Sequence, residues 1–221
     1  MKIRSFACTA LTAGLAFTTL QTTAATKGPS VQALLGAVRY DDLIIESASG
    51  TSSQAIDIST LPQFGGVWST AAKGDKIQFG LECSFLMGFN YGSVSYSPTP
   101  ASNVYAEYSL WTFDLAGGLY ANTFLGKEEK VRIYAAGGPL LMTALSYSES
   151  YHQNLIGADN YYRNNENSFG YGLYARTGVE IRVNEYGMLG LGVRGTWVNT
   201  DLSTISDLTG IGAFVTYTAG L

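Results

Sequence analysis

The sequence has few charged residues. Only 14% of its 221 residues are Asp, Glu, Lys or Arg, compared with about 25% in an ordinary soluble domain. Lys and Arg number 13 against 17 Asp and Glu, and they form no basic cluster that could neutralise a row of phosphates. This composition excludes a basic nucleic-acid-binding protein and a disordered polyelectrolyte, and it is atypical of a cytosolic α/β enzyme.

Cysteine and histidine are also scarce. The two cysteines are Cys8 and Cys83, and Cys8 lies in an N-terminal segment that we expect to be removed. The single cysteine that remains cannot form an intramolecular disulfide. His152 is the one histidine, and the sequence has no C-x-x-C, H-E-x-x-H or G-x-S-x-G pattern. We therefore predict no metal, no cofactor and no catalytic residues.

Residues 1–25 have the pattern of a secretory signal peptide. Lys2 and Arg4 give a positive start, an uncharged stretch follows, and small residues ending at Ala25 provide a cleavage site. The apolar stretch is shorter than the ~20 residues that a membrane-spanning helix needs, which favours a cleaved signal over an anchor. We expect an exported chain with a single domain, residues 26–221.

Apolar residues in the rest of the chain recur at every second position. In Ile77–Tyr91 the odd positions are apolar, whereas most even positions are Gly, Ser, Asn, Gln or Glu, and Phe169–Val183 repeats the pattern. This period of two is typical of β-strands. Further clear strands are predicted near 111–122, 189–197 and 207–221, and weaker ones near 31–41, 61–73 and 131–146. The total is eight strands.

The two faces of these strands predict an inside-out sheet. A soluble β-protein covers its outer face with Lys, Glu and Asp, but here the polar face consists mainly of small residues and the other face of bulky aromatic and aliphatic ones. Small polar residues suit a narrow lumen, and bulky apolar residues suit lipid. An open sheet edge in hydrocarbon would leave backbone groups unpaired. We therefore predict an all-β fold, an eight-stranded antiparallel up-and-down transmembrane β-barrel.

The predicted connections alternate strictly in length, as they do in outer-membrane barrels. Short turns are expected at 73–76, 126–130 and 184–187, and longer extracellular loops at 41–60, 92–103, 147–168 and 200–206. Ten strands remain open if a long loop contains a hairpin. Several strands exceed the ~9–11 residues needed to cross a bilayer, so the barrel is expected to project above the membrane.

With its signal peptide, eight alternating strands and rhythm of short turns and long loops, the chain resembles the small OmpA/OmpX/opacity-type outer-membrane β-barrels, over about residues 28–221. The resemblance implies the outer membrane of a diderm, Gram-negative bacterium. It also implies contact with outer-membrane lipid, lipopolysaccharide and the outer-membrane assembly machinery, and it suggests a monomer. Such barrels usually end in an aromatic residue, whereas this chain ends in Leu221.

Eight charged residues are predicted to point into the lumen, where charges must pair or stay hydrated. Similar distances from the short turns predict a network of Glu82, Arg176, Glu180 and Arg194 that plugs the lumen. This network is either a structural polar core or a gate whose ion pairs rearrange. The eight inward charges are Glu82, Glu107, Asp114, Arg132, Arg176, Glu180, Arg182 and Arg194.

Aromatic residues are predicted at two kinds of site. An aromatic girdle at the lipid boundary is expected near the long-loop ends of strands, at Tyr91, Tyr96, Tyr105, Tyr108, Tyr147, Tyr171 and Trp197. The loop 147–168 is the expected recognition surface for an extracellular ligand or host surface, because Tyr and Asn give flat contact area and adaptable hydrogen bonds. Its candidate residues are Tyr151, His152, Tyr161, Tyr162 and Arg163.

The function that these features favour is an integral outer-membrane barrel with a structural or cell-surface interaction role. Three alternatives remain: a narrow channel for small solutes, a soluble secreted lipocalin-like carrier, and a lipid A-modifying barrel enzyme that would use Ser150 and His152 next to Glu149. A G-x-G-x-x-G pattern at Gly190–Gly195 lies within a predicted strand, so we expect its glycines to make room in the lumen rather than bind phosphate.

Overall fold

The computed structural model describes residues 28–41, 44–49, 52–57, 59–99, 102–126, 128–154, 160–202 and 205–221. The expected signal peptide, 1–25, lies outside these ranges. The strands are β1 (Ser30–Tyr40), β2 (Ile44–Ser49), β3 (Ser52–Asp57), β4 (Thr60–Ser69), β5 (Ile77–Thr99), β6 (Ser102–Leu125), β7 (Val131–Asn154), β8 (Asn160–Arg182), β9 (Gly187–Leu202) and β10 (Ile205–Gly220). No helix among the described residues is long and apolar enough to cross a membrane.

Eight of these strands form a closed barrel in the order β1-β10-β9-β8-β7-β6-β5-β4, and every neighbouring pair is antiparallel. The predicted fold class is therefore confirmed. The other two strands, β2 and β3, pair as a separate hairpin within the first long connection, and β3 lies against β5. The described residues thus form ten strands, and eight of these strands belong to the barrel.

The alternation of burial follows the predicted faces. On β5 the side chains of Leu81 and Phe85 are 57% and 51% exposed, whereas Glu82 and Ser84 between them are each 3% exposed. Large apolar residues cover the outside of the other barrel strands in the same way. A lipocalin-like carrier needs its apolar face inside, so that alternative is wrong.

Four strands are much longer than the others. β5 to β8 have 23 or 24 residues, whereas β1 and β4 have 11 and 10. Much of the predicted loops 92–103 and 147–168 is therefore paired β-strand, which corrects the expectation of two long loops. The reason is that backbone pairing continues past the apolar exterior without needing apolar side chains. The last predicted loop is also shorter, because β10 begins at Ile205.

The extra length forms a four-stranded wall on one side of the barrel mouth. We define the wall as Phe89–Tyr96, Val104–Trp111, Leu145–His152 and Asn160–Asn167. Paired residues form rows across its four strands: the first row is Phe89, Trp111, Leu145 and Asn167, and the last is Tyr96, Val104, His152 and Asn160. In an outer-membrane barrel the short turns face the periplasm, so the expected location puts the wall on the extracellular side. The expected projection above the membrane is thus confined to one side.

The expected girdle is only partly on the exterior. Tyr91, Tyr105, Tyr171 and Trp197 are exposed on the outer face, and Tyr147 shares that face. Tyr108 is buried in the lumen, and Tyr96 lies on the lumen-facing side of β5. Both have even numbers in strands whose odd residues face outward, so their assignment to the girdle was wrong.

Candidate functional site

Glu180 on β8 is the centre of a buried polar layer in the half of the lumen nearest the short turns. Its side chain is fully buried and accepts hydrogen bonds from Gln32 Nε2 at 2.6 Å, Thr216 Oγ1 at 2.9 Å and Thr218 Oγ1 at 2.7 Å. Arg132 forms an ion pair and a hydrogen bond with the same carboxylate. Side chains from β1, β7 and β10 therefore meet on one β8 carboxylate.

A second ion pair lies beside this carboxylate. Arg176 donates from Nε to Glu82 Oε1 at 2.8 Å and from Nη2 to Glu82 Oε2 at 2.6 Å, which is the two-pronged geometry that makes Arg–carboxylate pairs strong. Tyr174 adds a hydrogen bond to Glu82 at 2.9 Å. Arg176 also donates to the amide oxygen of Gln32, whose nitrogen donates to Glu180. Gln32 therefore connects the two ion pairs.

Arg194 is placed differently from its predicted partners. Its Nη1 lies 3.5 Å from Asp114 Oδ2, and both side chains are buried. None of the three guanidinium nitrogens and neither Asp114 oxygen has a hydrogen-bond partner among the described residues. Arg194 is connected to the Glu82 pair through Tyr174, whose ring centroid is 5.2 Å from Arg194 Cζ. Arg182, the remaining predicted inward charge, has a half-buried side chain on the lumen face of β8.

Sequence reasoning missed the uncharged members of this layer, chiefly Gln32, Tyr134 and Tyr174. Tyr134 is 4% exposed and lies under both arginine side chains, with its ring centroid 4.9 Å from Arg176 Cζ and 5.7 Å from Arg132 Cζ. An even-numbered, lumen-facing tyrosine beside inward arginines is a signal that could have identified it.

Glycines on the neighbouring strands make room for Tyr134. A Cβ atom on Gly178 would lie 2.5 Å from the Tyr134 hydroxyl, and one on Gly192 would lie 2.6 Å from it. Gly192 belongs to the G-x-G-x-x-G pattern, which lies within β9 and precedes no helix. The pattern therefore has a packing role in the lumen.

We expect Gly192→Val to destabilise the folded barrel by about 1–3 kcal/mol, the usual cost of overpacking a filled core. The measurement is the free energy of unfolding by urea of protein refolded into lipid vesicles. Gly117→Val is the matched control, because Gly117 lies on the exterior of β6 and a Cβ there would meet only the backbone oxygen of Glu82, at 3.7 Å. Equal losses for the two variants would contradict the packing role.

Buried apolar side chains cluster in the half of the lumen nearer the wall, beside polar ones such as Gln63 and Thr112. One buried cluster includes Tyr40, Leu61, Leu110, Leu140, Met142 and Leu208, and a smaller one joins Leu34, Val67, Leu86 and Phe214. Apolar side chains thus share the lumen with the polar and charged residues, because large apolar residues also occupy inward positions on several strands. A cavity lined by Ser30, Gln32, Arg132 and Arg176, among others, has a volume of about 10 Å³, close to the minimum for one water molecule.

The five predicted recognition residues lie on wall strands rather than in a loop, and they divide between its two faces. Tyr151, Tyr161 and Arg163 lie on the outer face, whereas His152 and Tyr162 lie on the inner face with their ring centroids 5.7 Å apart. This division follows from the alternation of side chains along a strand.

Glu107 lies on the outer face of the wall, so the prediction that it points into the lumen is wrong. Glu107 and Trp111 are both odd-numbered residues of β6, and the pairing of β6 has no register shift between them, so Glu107 faces outward as Trp111 does. Tyr105 donates a hydrogen bond to its carboxylate. Hydrogen bonds from Tyr105 and Tyr91 hold the pKa of Glu107 below its usual range, so these bonds stabilise the wall at neutral pH and are lost as the pH falls through that lowered pKa.

Glu149 is the counterpart of Glu107 on the next strand. Its Oε1 accepts a hydrogen bond from the Tyr161 hydroxyl at 2.5 Å, and this bond raises the pKa of Tyr161. Arg163 Nε lies 4.0 Å from the same oxygen, and its Cζ lies 4.9 Å from the ring centroid of Tyr147. Ser150 and His152 lie on the opposite face of β7, so Glu149 cannot orient them as an acidic partner.

Comparisons with known proteins give structural likenesses only. No protein-family profile matches the chain, and no curated protein sequence matches it. Similar solved structures include Ail, the attachment invasion locus protein of Yersinia pestis, at 11% identity and a TM-score of 0.38, covering 88% of this chain and 98% of that one. Neisserial surface protein A, NspA, has 15% identity, a TM-score of 0.37 and coverage of 88% and 97%. OprG of Pseudomonas aeruginosa has 13% identity, a TM-score of 0.44 and coverage of 90% and 100%.

The assignment of the chain rests on its own strands. They close into a ring of eight with short turns at one end, their exterior is covered by large apolar side chains, and charged side chains are buried in the lumen. An apolar exterior around a closed barrel is the arrangement that a lipid bilayer requires. In architecture, this protein is an eight-stranded antiparallel β-barrel with the apolar exterior of a membrane-spanning barrel.

Proposed function

We propose that the barrel is a closed membrane scaffold that presents the wall for interaction at the cell surface. The observation that carries this proposal is the one-sided continuation of β5 to β8 beyond the barrel, with tyrosine side chains exposed on both faces of β8. Tyr161 and Tyr162 are 57% and 60% exposed. Paired strands hold such side chains in place at little further entropic cost, which favours binding.

The lumen supports a scaffold rather than a pore. Ion pairs fill one half, with Arg132, Arg176 and Arg194 facing Glu180, Glu82 and Asp114 respectively, and the apolar clusters fill the other. We assign these charges, with Arg182, a structural role in closing the lumen. An eight-stranded barrel is just wide enough for side chains to fill it.

Adhesion of intact cells tests the surface role. A Gram-negative strain without other adhesins would display the wild type or the double variant Tyr151→Ser/Tyr161→Ser, and attachment to immobilised extracellular-matrix proteins and to an epithelial layer would be counted. We expect the wild type to attach and the double variant to lose most of that attachment. Tyr186→Ser is the matched control, because Tyr186, at 51%, is intermediate in exposure between Tyr151 and Tyr161 but lies in the turn between β8 and β9 at the other end. Attachment no higher than that of cells with an empty vector would overturn the proposal.

A narrow channel is the second candidate, and one observation favours it. Asp114 and Arg194 are buried without hydrogen bonds to other described residues, so this pair could rearrange more easily than the others. For the scaffold we expect the conductance of a planar bilayer to stay at its baseline when the protein is inserted. Stepwise openings that change on Asp114→Asn would instead support the channel.

The N-terminal segment is part of the same proposal. We propose that residues 1–25 direct export and are then removed, which leaves the barrel domain 26–221. N-terminal sequencing of protein from the outer-membrane fraction tests this, with a start at residue 26 as the expected result. A chain that retains Met1 in that fraction would contradict it.

A further inference from the structure

A polar cavity lies at the short-turn end of the barrel, between the turn that joins β4 to β5 and the turn that joins β6 to β7. It has a volume of about 300 Å³. Its lining combines two carboxylates and one ammonium group with an amide, a hydroxyl and an aromatic ring. The lining residues are Asp75, Lys76, Gln78, Thr123, Phe124 and Glu129. The buried ion pairs described above involve other residues.

Gln78 is the buried member of this lining. It is the second residue of β5, its side chain is 4% exposed, and its Oε1 has no hydrogen-bond partner among the described residues. Its cross-strand neighbour Asn122 is 3% exposed, and Asn122 Oδ1 also has no partner there. A buried oxygen without a donor is costly, so a ligand that interacts with it is favoured. The terminal torsion of a glutamine side chain is soft, and Oε1 can therefore turn towards a ligand in the cavity.

The turn between β4 and β5 holds Asp75 in a fixed position. Lys73 and Phe79 exchange two backbone hydrogen bonds of 2.9 Å across this turn. Thr123 on β6 donates from Oγ1 to Lys76 O at 2.9 Å, which fastens the turn to the neighbouring strand. A carboxylate on such a fixed turn loses little conformational freedom when it binds a ligand.

Glu129 lies on the facing turn in an unusual backbone conformation. Its φ is 49°, and among the residues that the structure describes it is the one non-glycine residue with a positive φ. This left-handed region favours Gly, Asn or Asp, and backbone strain of this kind clusters at functional and ligand-binding sites. Glu129 N donates to Gly126 O at 3.3 Å, which closes the turn, and the Glu129 side chain is half-buried in the cavity wall.

We propose that this cavity binds a hard divalent cation, Ca²⁺ or Mg²⁺. Its protein ligands are the carboxylates of Asp75 and Glu129 and the Oε1 of Gln78, and water completes the coordination. Carboxylate and amide oxygens are the donors that these cations take in proteins. The two carboxylates outnumber the single ammonium group of Lys76, which is exposed and has a flexible side chain that can turn into solvent. The bound ion joins the two turns and stabilises this end of the barrel.

The proposed site departs from the sequence-based prediction of no metal. Among the described residues, no group of three or more His, Cys, Asp and Glu side chains is arranged to hold a metal ion. Here the two carboxylates come from separate turns and an amide oxygen takes the place of a third acidic ligand, so no motif marks the site in the sequence. The site lies at the opposite end of the barrel from the wall, and it does not depend on the proposed surface role.

Urea unfolding of the whole barrel in vesicles of phosphatidylcholine, a zwitterionic lipid, tests the proposal. The buffers contain CaCl₂, MgCl₂, or EDTA with NaCl at the same ionic strength. An ion that binds the folded state and not the unfolded state raises the urea midpoint. We expect at least one of the two divalent cations to raise the midpoint of the wild type. The response should saturate, with a dissociation constant of about 10⁻⁴–10⁻³ M, as at other extracytoplasmic Ca²⁺ sites.

Two variants and a control distinguish this site from non-specific binding. Gln78→Leu should be at least as stable as the wild type in EDTA, because an apolar group replaces a buried oxygen that has no partner, and its midpoint should not respond to the ion. Glu129→Gly should also lose the response, although glycine relieves the left-handed φ. Glu128→Gln is the matched control, because Glu128 precedes Glu129 but pairs with Lys130 at the exposed turn. It should keep the full response.

Three results would overturn the inference. The first is a wild-type midpoint that neither divalent cation raises above its value in NaCl. The second is a response that Gln78→Leu and Glu129→Gly both retain, and the third is an equal loss of response in Glu128→Gln. Heat-modifiability on a gel checks the folding of each variant, and Glu129→Gly carries the test if Gln78→Leu fails to fold.

Discussion

Replacement of Glu180 by alanine is expected to lower the free energy of unfolding by about 3–5 kcal/mol, the usual cost of removing one partner of a buried ion pair. Glu180 is fully buried and accepts hydrogen bonds from Gln32, Arg132, Thr216 and Thr218. Without it, the Arg132 guanidinium stays buried with no countercharge. The measurement is urea unfolding of the protein refolded into lipid vesicles, monitored by tryptophan fluorescence.

Two further variants show whether the loss comes from the buried pair. Glu128→Ala removes a carboxylate that pairs with Lys130 at an exposed turn, where such pairs contribute at most about 1 kcal/mol. The double variant Glu180→Leu/Arg132→Met replaces both charges, and similar replacements elsewhere are often neutral or stabilising. We therefore expect the double variant to recover most of the loss. If it is no more stable than Glu180→Ala, the uncompensated charge is not the cause.

The fold could be predicted because a closed barrel in lipid places strong constraints on its sequence. Each strand must alternate, and the small polar residues at even positions of β5 and β8 showed which face was inside. The strand order then followed from sequential hairpins. The β2–β3 hairpin was harder to predict, because its segments carry no long alternation of apolar and polar residues.

The lumen could be predicted in its charges but not in its pairings. Their even numbers identify Glu82, Arg176 and Glu180 as inward-facing residues. Which residue each one pairs with, however, depends on the tilt of the strands and on the length of the side chains. Arg194 faces Asp114 rather than Glu82 for this reason. Gln32 connects two ion pairs because β1 closes the barrel against β10, and a contact between the first and last strands leaves no local signal in the sequence.

The wall escaped prediction because polar strands and polar loops look alike in composition. Tyrosine, asparagine and serine dominate both, and the apolar face that marks a strand in lipid ends where the membrane ends. The alternation itself continues, since Tyr105 and Glu107 share the outer face with Trp111. The one-sidedness of the wall follows from the difference in length between β8 and β9, which composition does not specify.

Leu81→Arg is expected to lower the free energy of unfolding in a lipid bilayer by about 2–4 kcal/mol, the cost of a cationic side chain near the midplane on the lipid face of a barrel. Leu81 is 57% exposed and lies among exposed apolar residues that run along β5 from Ile77 to Phe89. In a soluble protein, a substitution at such an exposed position usually changes stability by no more than about 0.5 kcal/mol. The experiment therefore reports on the medium that surrounds this face.

Asn165→Arg is the matched control for Leu81→Arg, because it places the same side chain on an exposed outward position of β8 but in the wall, above the membrane. We expect it to leave stability nearly unchanged in vesicles. In short-chain detergent micelles, which adapt to a protruding charge more easily than a bilayer, the difference between the two variants should shrink. Equal stability of the two variants in vesicles would mean that Leu81 does not face hydrocarbon.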